Sequence, residues 1–456
     1  MKKMFLTFIS ISIFLACKKE VKQNKEEVVI DEVELAPVSD AIMENAVIYE
    51  ANIRQYSEEG SFNAFTKDIP KLKELGVKVL WIMPIYPIST TKSKGSLGSY
   101  YAISDYTKVN PEFGTLEDFR KLVKTAHENG IYVILDWVAN HTGWDHTWLK
   151  EHPEYYSKDE EGNITHTVGT DWTDVADLNY DNAEMREQML HDMLYWVKEE
   201  NIDGFRCDVA GMVPVDFWEH TIAELKKEKP VFMLAEAWEP ELLDNAFDMG
   251  YGWDTHHKMN DIAQGKEGVE AWDHRMQQID SLYDKDDILM NFTSNHDENS
   301  WNGTVFERMG DGAEAFAALS FCAPGMPLIY SGQEYDMNKR LLFFEKDTIL
   351  KTKGKFFDVY KKLGELKNNN IALNGGKQPA AYTRIATSDE EHILAFERAK
   401  GENKVVFLAN LSDEPVATTV DYEGTFKNYM SGTEANLEKE KTYELAPWEY
   451  IIYVDK

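Results

Sequence analysis

Acidic residues stand at the carboxyl ends of four apolar, strand-like runs, where charge is unusual. These acids are Asp136, Asp208, Glu236 and Asp297. Apolar runs of this length are typical of buried parallel strands, which normally exclude charged side chains. Four exceptions at the same end of their runs predict a barrel whose chemistry takes place at one rim.

Arg206 and Asp208 lie two residues apart in one of these runs. Residues at this spacing project from the same face of a strand, which in a barrel is the interior. A guanidinium beside a carboxylate favours the ionised form and lowers the pKa of the acid, as a nucleophile requires. A buried ion pair without a catalytic role explains this pair equally well when it is considered alone.

Glu236 follows a very apolar run and precedes Ala237 and Trp238. Removal from water raises the pKa of a carboxyl group, which suits a general acid that works near neutral pH. A glutamate simply exposed at the end of its strand is the alternative. Asp297 adds a third acid beside His296, and two carboxyls of opposite pKa shift with a third acid are the groups of glycoside hydrolysis.

A zinc site is a rival interpretation of some of the same residues. Its ligands would be Asp136, His141, Asp208 and His296. Zinc sites in proteins are usually built from closely spaced histidines or cysteines, and the chain has neither a His-x-His motif nor a cysteine cluster. The sequence therefore favours an acid–base site over a zinc centre.

Eight strand-like runs alternate with segments of helical periodicity, which predicts an α/β protein with a (β/α)8 TIM barrel. The runs cover residues 47–53, 77–83, 131–138, 202–208, 231–238, 246–251, 288–295 and 326–331. The helical segments include residues 65–75, 116–129, 183–199, 217–227 and 312–321. The sixth strand is the weakest of the eight predictions.

Two further regions complete the predicted domain organisation. Residues 141–177 contain no convincing helix, and long connections of this kind are usually functional. We interpret them as a small insertion after the third strand, within a catalytic barrel that spans residues 47–370. Short alternating runs separated by turns then predict a C-terminal antiparallel β-sandwich over residues 371–456.

The net charge of the chain limits the classes of molecule that it is expected to bind. The net charge of −32 argues against a nucleic-acid partner, because binding phosphates requires clustered Lys and Arg. An uncharged substrate is compatible with this charge. Cys207 and Cys322 lie in apolar segments and are predicted to be small buried hydrophobic residues rather than parts of a disulfide framework.

The beginning of the chain has the pattern of an export signal. Lys2 and Lys3 precede an apolar stretch over residues 4–16, which is too short to span a bilayer stably. The residues that lead to Cys17 resemble the lipobox of bacterial lipoproteins, which implies lipidation at Cys17 and a membrane-anchored protein in the periplasm or at the cell surface. Residues 18–46 are then predicted to be a tether. A plain secretory signal and an uncleaved anchor are the alternatives.

The order and spacing of several motifs resemble the α-amylase family of glycoside hydrolases over residues 47–454. Residues 136–141 (Asp-Trp-Val-Ala-Asn-His) resemble the first conserved region of that family, and residues 204–208 (Gly-Phe-Arg-Cys-Asp) the second. Glu236 after its strand resembles the third region and residues 295–297 (Asn-His-Asp) the fourth. Further matches are residues 177–179, Tyr101 with residues 105–106 and 110–115, and residues 325–330 with 332–334.

The resemblance implies catalytic roles for three residues. Asp208 would be the nucleophile that forms a covalent glycosyl-enzyme intermediate, Glu236 the acid and then the base, and Asp297 the group that binds sugar hydroxyls and stabilises the distorted sugar. The reaction would retain the anomeric configuration, with the carboxyls of Asp208 and Glu236 ~5–5.5 Å apart. No cofactor would be required.

The resemblance also implies binding roles around the cleavage point. Tyr101 would stack beneath the sugar, and His141 and His296 would donate hydrogen bonds to it. Arg206 would keep Asp208 ionised, and Asp136 would support the site through Arg206. The implied substrate is an α-glucan: a maltooligosaccharide or a fragment of starch.

The family resemblance also suggests a structural calcium ion, but this sequence weakens the case for it. Many α-amylases carry a Lys-His pair three and four residues after the nucleophile, and here those positions are Gly211 and Met212. Asn140 and Asp177 remain as candidate oxygen ligands.

Two other functions remain open at this point. The same covalent intermediate would allow transglycosylation between α-glucans, because a sugar can replace water as the acceptor. A non-catalytic glucan-binding lipoprotein is the alternative from another class, although three intact acids argue against it.

Overall fold

The computed structural model describes residues 35–455, and the predicted signal peptide with Cys17 lies outside them. Eight parallel strands form a closed barrel in which each strand pairs with its neighbours along the chain and the last pairs with the first. The strands are β1 Val47–Ala51, β2 Val77–Ile82, β3 Tyr132–Val138, β4 Gly204–Asp208, β5 Phe232–Ala235, β6 Met249–Tyr251, β7 Leu289–Asn291 and β8 Met326–Tyr330. All eight predicted strands are confirmed, including the weak sixth.

Helices connect the strands and cover the outside of the barrel. In chain order they are Ile53–Tyr56, Phe62–Thr66, Ile69–Glu74, Leu116–Glu128, Ala183–Lys198, Val215–Glu228, Glu241–Asn245, Trp253–Ala263, Glu270–Leu282, Val305–Met309, Ala313–Cys322 and Phe356–Asn369. Short 3-10 turns cover Ala210–Met212, Gly310–Gly312, Gln333–Tyr335 and Ile371–Leu373, and a π-helical turn covers Glu298–Asn302 directly after Asp297. The helix predicted over residues 65–75 is split in two, because one helix ends at Thr66 and the next begins at Ile69, with Pro70 in its first turn.

Alternation along the strands sorts side chains between the barrel interior and the helices. On β4, Phe205 and Cys207 pack toward the helices, while Arg206 and Asp208 point inward. The inward side chains of the other strands form an apolar cluster that includes Ile48, Trp81, Ile134, Leu234 and Met290. The predicted acids therefore stand at the top of an otherwise apolar interior.

A glycine makes the closest approach between β4 and β5 possible. Gly204 has a φ of +146°, and a Cβ at this position would lie 1.9 Å from the backbone oxygen of Phe232. Any side chain here would force apart the two strands that carry Asp208 and Glu236. Both Cys207 and Cys322 are buried and free, as predicted.

The insertion after β3 is bounded by a strand pair that the sequence did not reveal. His141–Gly143 pairs antiparallel with Val175–Asp177. Contrary to the prediction, the segment between them contains a short helix, Thr147–Glu151, followed by a 3-10 turn, Pro153–Tyr155.

The C-terminal region is an antiparallel β structure, as predicted. Its six-stranded sheet runs in the spatial order Ala381–Arg384, Ile393–Lys400, Asn403–Asn410, Tyr450–Val454, Gly424–Asn428 and Glu434–Leu437. A second sheet pairs Val416–Thr418 with Tyr443–Leu445. One face of the large sheet packs against this small sheet, and the other carries Phe396 and Phe407 into the core of the barrel helices.

Part of the predicted tether is folded. Residues 35–46 include the helix Asp40–Met43, and Val38, Met43 and Ala46 pack against the apolar barrel interior. The hydroxyl of Tyr132, the first residue of β3, donates to the Ala36 carbonyl at 2.8 Å. These apolar side chains are too sparse to show a period, so their packing against the barrel could not be predicted from the sequence.

Candidate active site

One guanidinium forms the floor of the site. Arg206 lies opposite Asp136 in the β3–β4 register, and its Nη1 donates to Asp136 Oδ1 at 2.9 Å and to Asp208 Oδ1 at 3.0 Å. Its Nη2 lies 2.8 Å from Glu236 Oε1, an ion pair without hydrogen-bond alignment. Arg206 thus contacts carboxyls from three strands, as the convergence of strand ends in a barrel requires.

Asp136 and Arg206 support the site from beneath. Both are fully buried. The other carboxylate oxygen of Asp136 accepts from Trp81 Nε1 at 3.0 Å and from the Tyr101 hydroxyl at 3.2 Å, while Arg206 Nε donates to the Tyr251 hydroxyl at 3.2 Å. Because these contacts occupy their polar atoms, the two residues orient the acids above them and do not reach the cavity.

The remaining predicted residues line one cavity of about 660 Å³ above this floor. They are Tyr101, His141, Asp208, Glu236, His296 and Asp297. The side chain of Asp297 is 34% exposed, so its carboxylate is open to a ligand. Residues distant along the chain therefore meet around a single space, as predicted.

Burial controls the pKa of the two central carboxyls. It raises the pKa of Asp208, and repulsion from Glu236 adds to the shift, so the net lowering expected from Arg206 is wrong although Arg206 does act in that direction. Burial also raises the pKa of Glu236, as predicted. The pair therefore retains a proton more readily than either acid in water. We assign that proton to Glu236, because Asp208 accepts an aligned hydrogen bond from Arg206.

Val209 connects the two acids through a strained backbone. This β-branched residue directly follows Asp208 and has φ 38° and ψ 46°, in the left-handed region. Such a conformation costs about 1–3 kcal/mol and is maintained by surrounding contacts. Here the amide of Val209 donates to Glu236 Oε2 at 2.8 Å, so the strained turn orients the carboxyl proposed as the acid.

His296 contacts three protein groups and is positively charged. Its Nδ1 lies 2.6 Å from Glu50 Oε1, and its Nε2 lies 2.8 Å from the Tyr101 hydroxyl and 3.3 Å from Asp297 Oδ2. Burial alone would lower its pKa, but the negative charges of Asp297 and Glu50 outweigh burial and raise the pKa to about 9. Both ring nitrogens thus have protein partners, and a bond from His296 to a sugar stays a prediction.

His141 is neutral, in contrast to His296. Burial lowers its pKa to about 4. Its Nδ1 lies 3.2 Å from the amide nitrogen of Asn140, which donates to it and so leaves the ring proton on Nε2. The two histidines that line the cavity therefore differ in charge at neutral pH.

Sequence reasoning missed several residues of the site. Glu50 is a charged residue inside the apolar run of β1, the same signal that revealed the other acids. Tyr251 was hidden by the weakness of the sixth strand. The aromatic walls of the cavity come from loops without a period: Trp172, Trp301, Phe343 and Phe344.

The two candidate calcium ligands do not fit a calcium site. The Asn140 amide nitrogen donates to the Thr167 hydroxyl at 2.9 Å, and that hydroxyl donates to Asp177 Oδ1 at 2.7 Å. A hydroxyl thus occupies the space between the two residues, whereas calcium takes six to eight oxygen ligands. Across residues 35–455, no three His, Cys, Asp or Glu side chains are grouped as metal ligands, so the zinc interpretation gains no site.

Comparisons with known proteins agree with this geometry. The family profile "Alpha amylase, catalytic domain" matches residues 47–402, and "Maltogenic Amylase, C-terminal domain" matches residues 383–452. Alpha-amylase 3 of Dictyoglomus thermophilum is 26% identical over an alignment of 477 positions, which covers 90% of this chain and 93% of that protein. A 4-alpha-glucanotransferase of Thermotoga neapolitana is 30% identical over an alignment of 317 positions, which covers 61% of this chain and 68% of that protein.

A solved structure shares both the barrel and the C-terminal sheets. The crystal structure of a noncanonic maltogenic α-amylase from Thermotoga neapolitana matches with a TM-score of 0.83 and 31% identity, covering 90% of this chain and 98% of that one. The family match spans most of the chain, and the acids converge as the family resemblance implied. This protein therefore belongs to the α-amylase family of glycoside hydrolases, which act on α-glucans.

Proposed function

We propose that this enzyme hydrolyses maltooligosaccharides and starch fragments with retention of the anomeric configuration. The observation that carries the proposal is the shared contact of Arg206 with Asp208 and Glu236, at 3.0 and 2.8 Å. Two carboxyls that contact neighbouring nitrogens of one guanidinium lie near each other, which favours direct attack on the sugar over inversion, where a water molecule must fit between acid and base.

In the first step, the carboxylate of Asp208 attacks the anomeric carbon. The glycosidic C–O bond breaks, and the proton of Glu236 passes to the leaving oxygen. Positive charge develops on the sugar ring, and the nearby carboxylate of Asp297 stabilises it. The products of this step are a glycosyl ester on Asp208 and a shortened glucan whose leaving oxygen is now a free hydroxyl group.

In the second step, Glu236 acts as a base because it has lost its proton. It removes a proton from water, whose oxygen attacks the anomeric carbon from the side that the leaving group vacated. The ester bond to Asp208 breaks, and Glu236 is protonated again. Every group in these steps is a side chain or water, so hydrolysis needs no cofactor.

The walls of the cavity support a neutral sugar as substrate. Aromatic faces from Tyr101, Trp172 and Phe343 line the space together with carboxylates. Sugars present apolar C–H faces to such rings and hydroxyls to such acids. The strong negative charge of the chain disfavours an anionic substrate.

The test is the anomeric form of the first product. Maltoheptaose incubated with the enzyme in deuterated buffer should show the α-anomeric proton signal before mutarotation, as followed by NMR. Asp208→Asn should lower turnover by at least ~10³-fold, since it removes the nucleophile, while its far-UV circular dichroism stays unchanged. A β-anomer as first product, or turnover of the variant within tenfold of the wild type, would refute the proposal.

Transglycosylation is a second candidate, which the similarity to a 4-alpha-glucanotransferase favours. It would use the same ester on Asp208 and replace water by a sugar hydroxyl. Products longer than the substrate at high maltoheptaose concentration would reveal it, and shorter products alone would exclude it.

For the location of the protein in the cell, we propose that it is exported and anchored to a membrane through a lipid on Cys17. The support is the sequence pattern of residues 1–17, which the structure does not describe. Among residues 35–455, no helix is both long and apolar enough to cross a membrane. Cys17→Ser should move the protein from the membrane fraction to the soluble fraction, and unchanged membrane association would exclude lipidation.

A further inference from the structure

Two loops meet over one side of the barrel mouth. One comprises residues 93–98 after β2 and the other residues 342–346 after β8, and together we call them the clasp. The backbone amide of Ser96 donates to Glu345 Oε1 at 2.9 Å, and the Ser96 hydroxyl binds the other carboxylate oxygen. The amide of Leu97 donates to the Phe344 carbonyl at 3.2 Å.

A glycine allows the two loops to touch. Gly95 has a φ of +65°, and a Cβ there would lie 2.4 Å from the Cβ of Phe344. The backbone of one loop thus packs directly on a side chain of the other, and no larger residue fits between them. The clasp is a closed contact and leaves no passage between its halves at this point.

Residues that directly follow β1 anchor both halves of the clasp. Arg54 is fully buried and donates to the carbonyls of Gly98 and Leu97 at 3.3 and 3.4 Å. Two hydrogen bonds of 2.9 Å to Glu112 orient this guanidinium. Gln55 donates to the carbonyl of Leu342 at 2.7 Å. The clasp therefore lies over β1.

The strand order places the clasp opposite Glu236. In the closed ring, β1 is four strands away from β5 in either direction, and Glu236 follows β5. Glu236 protonates the leaving oxygen, so the leaving part of the substrate lies on the β5 side. The part that carries the attacked carbon therefore extends across the mouth toward β1 and the clasp.

The clasp also joins the insertion, which extends the barrier. Lys94 Nζ donates to the Asp171 carbonyl at 2.9 Å and pairs with Asp174 at 3.1 Å, and all three residues line the cavity. Phe344 lines the cavity from the other half. A space of about 660 Å³ with such a rim is in the range of pockets that enclose a small ligand, ~300–1,000 Å³.

We propose that the clasp ends the cleft on this side, so that the enzyme attacks α-glucans from their non-reducing ends. The terminal sugars would lie under the clasp, with Lys94 facing their hydroxyls, and the interior of a long chain would not fit. This specificity rests on the proposed hydrolysis of α-glucans and adds the direction of attack.

The test compares two nitrophenyl maltoheptaosides, one with a free non-reducing end and one whose terminal sugar carries a 4,6-ethylidene block. We expect the wild type to cleave the free substrate at least tenfold faster than the blocked one. Similar rates on both substrates would overturn the proposal. Cleavage of neither substrate would instead refute the proposed hydrolysis, which separates the two failures.

Variants of the clasp assign the effect to it. Ser96→Ala combined with Glu345→Ala should raise the ratio of blocked to free cleavage at least fivefold, and Glu345→Gln, which preserves the side-chain shape, should raise it less. Lys361→Ala removes a surface ion pair with Glu74 far from the clasp and should leave the ratio unchanged. An unchanged ratio in folded clasp variants would show that the clasp does not set the direction of attack.

Discussion

Two fully buried arginines in this enzyme have opposite surroundings. Arg206 contacts carboxyls at the catalytic rim, which raise its pKa against the effect of burial. Arg398, in the strand Ile393–Lys400 of the C-terminal sheet, donates to the carbonyls of Cys322 at 3.0 Å and Asn374 at 2.8 Å. Burial lowers the pKa of Arg398 to about 10.

The difference separates a catalytic network from a purely structural contact. We call the contact of Arg398 with the carbonyls of Cys322 and Asn374 the joint. At the rim, ionised partners make the protonation of each acid depend on its neighbours. At the joint, backbone dipoles stabilise a cation whose charge never changes near neutral pH. Lys367 is also fully buried and donates to the carbonyls of Gly325 and Leu373 at 2.7 and 2.6 Å, but burial lowers its pKa well below its ordinary value. Buried charge alone therefore does not identify a catalytic site; its partners do.

Within this comparison of the two arginines, the largest expected effect is that of Arg206→Lys. An ammonium on a single stem cannot contact Asp136, Asp208 and Glu236 together as the guanidinium does. We expect kcat/KM to fall by about 10³-fold, or roughly 4 kcal/mol of transition-state stabilisation. Since Arg206 lowers the pKa of Asp208, the acid limb of the pH–rate profile should also move to higher pH.

Steady-state kinetics between pH 4 and 9 measure both effects of Arg206→Lys. The matched control is the same substitution at the other arginine, Arg398→Lys, for which kcat/KM should stay within twofold of the wild type. A loss below tenfold in Arg206→Lys, or an unmoved acid limb, would show that Arg206 is not needed to orient the acids.

The next effect is the loss of stability in Arg398→Lys. Lysine would satisfy fewer of the carbonyls that Arg398 now binds, and a buried unsatisfied carbonyl costs about 1–3 kcal/mol. We expect the free energy of unfolding in urea to fall by about 2 kcal/mol. Arg120→Lys, whose guanidinium is half exposed and pairs with Glu200, serves as a control and should change the free energy of unfolding less than Arg398→Lys does. An unchanged stability in Arg398→Lys would mean that the joint does not depend on the guanidinium.

The sequence predicted the rim better than the joint for a physical reason. Strands of a parallel barrel are apolar and evenly spaced, so a charged residue such as Asp208 is conspicuous and its direction follows from alternation. The convergence of the acids then follows from closure of the barrel. Arg398, in contrast, depends on carbonyls of residues up to 76 positions away, and no local pattern reports them.

The features that were not predicted correctly share another cause: they depend on residues that are distant in the sequence. The strands Gly424–Asn428, Glu434–Leu437 and Tyr443–Leu445 were not predicted because each buries only one side chain and is otherwise polar. The net pKa shift of Asp208 was wrong because burial and Glu236 outweigh the adjacent arginine. Burial is a property of the assembled barrel.

The smallest effect concerns the pH dependence of stability. His296 has a folded pKa of about 9, above its ordinary value of 6.5, so the folded state binds a proton that the unfolded state releases. Its contribution is complete below pH 6.5 and is lost as the pH rises through 9. Between pH 7 and 8 we expect it to lower the free energy of unfolding by about 1 kcal/mol. Arg398 does not change its charge in this interval.

Urea unfolding at pH 7, 7.5 and 8 in three proteins tests this assignment. His296→Gln should lose the slope of unfolding free energy against pH, whereas Arg398→Lys should keep the slope of the wild type at a lower overall stability. Glu334, whose pKa burial raises to about 7, contributes at the lower edge of this interval in all three proteins and cancels in the comparison. Equal slopes in the wild type and His296→Gln would mean that Glu50 and Asp297 do not keep His296 protonated. The charges at the catalytic rim would then be as insensitive to pH in this interval as the charge of Arg398.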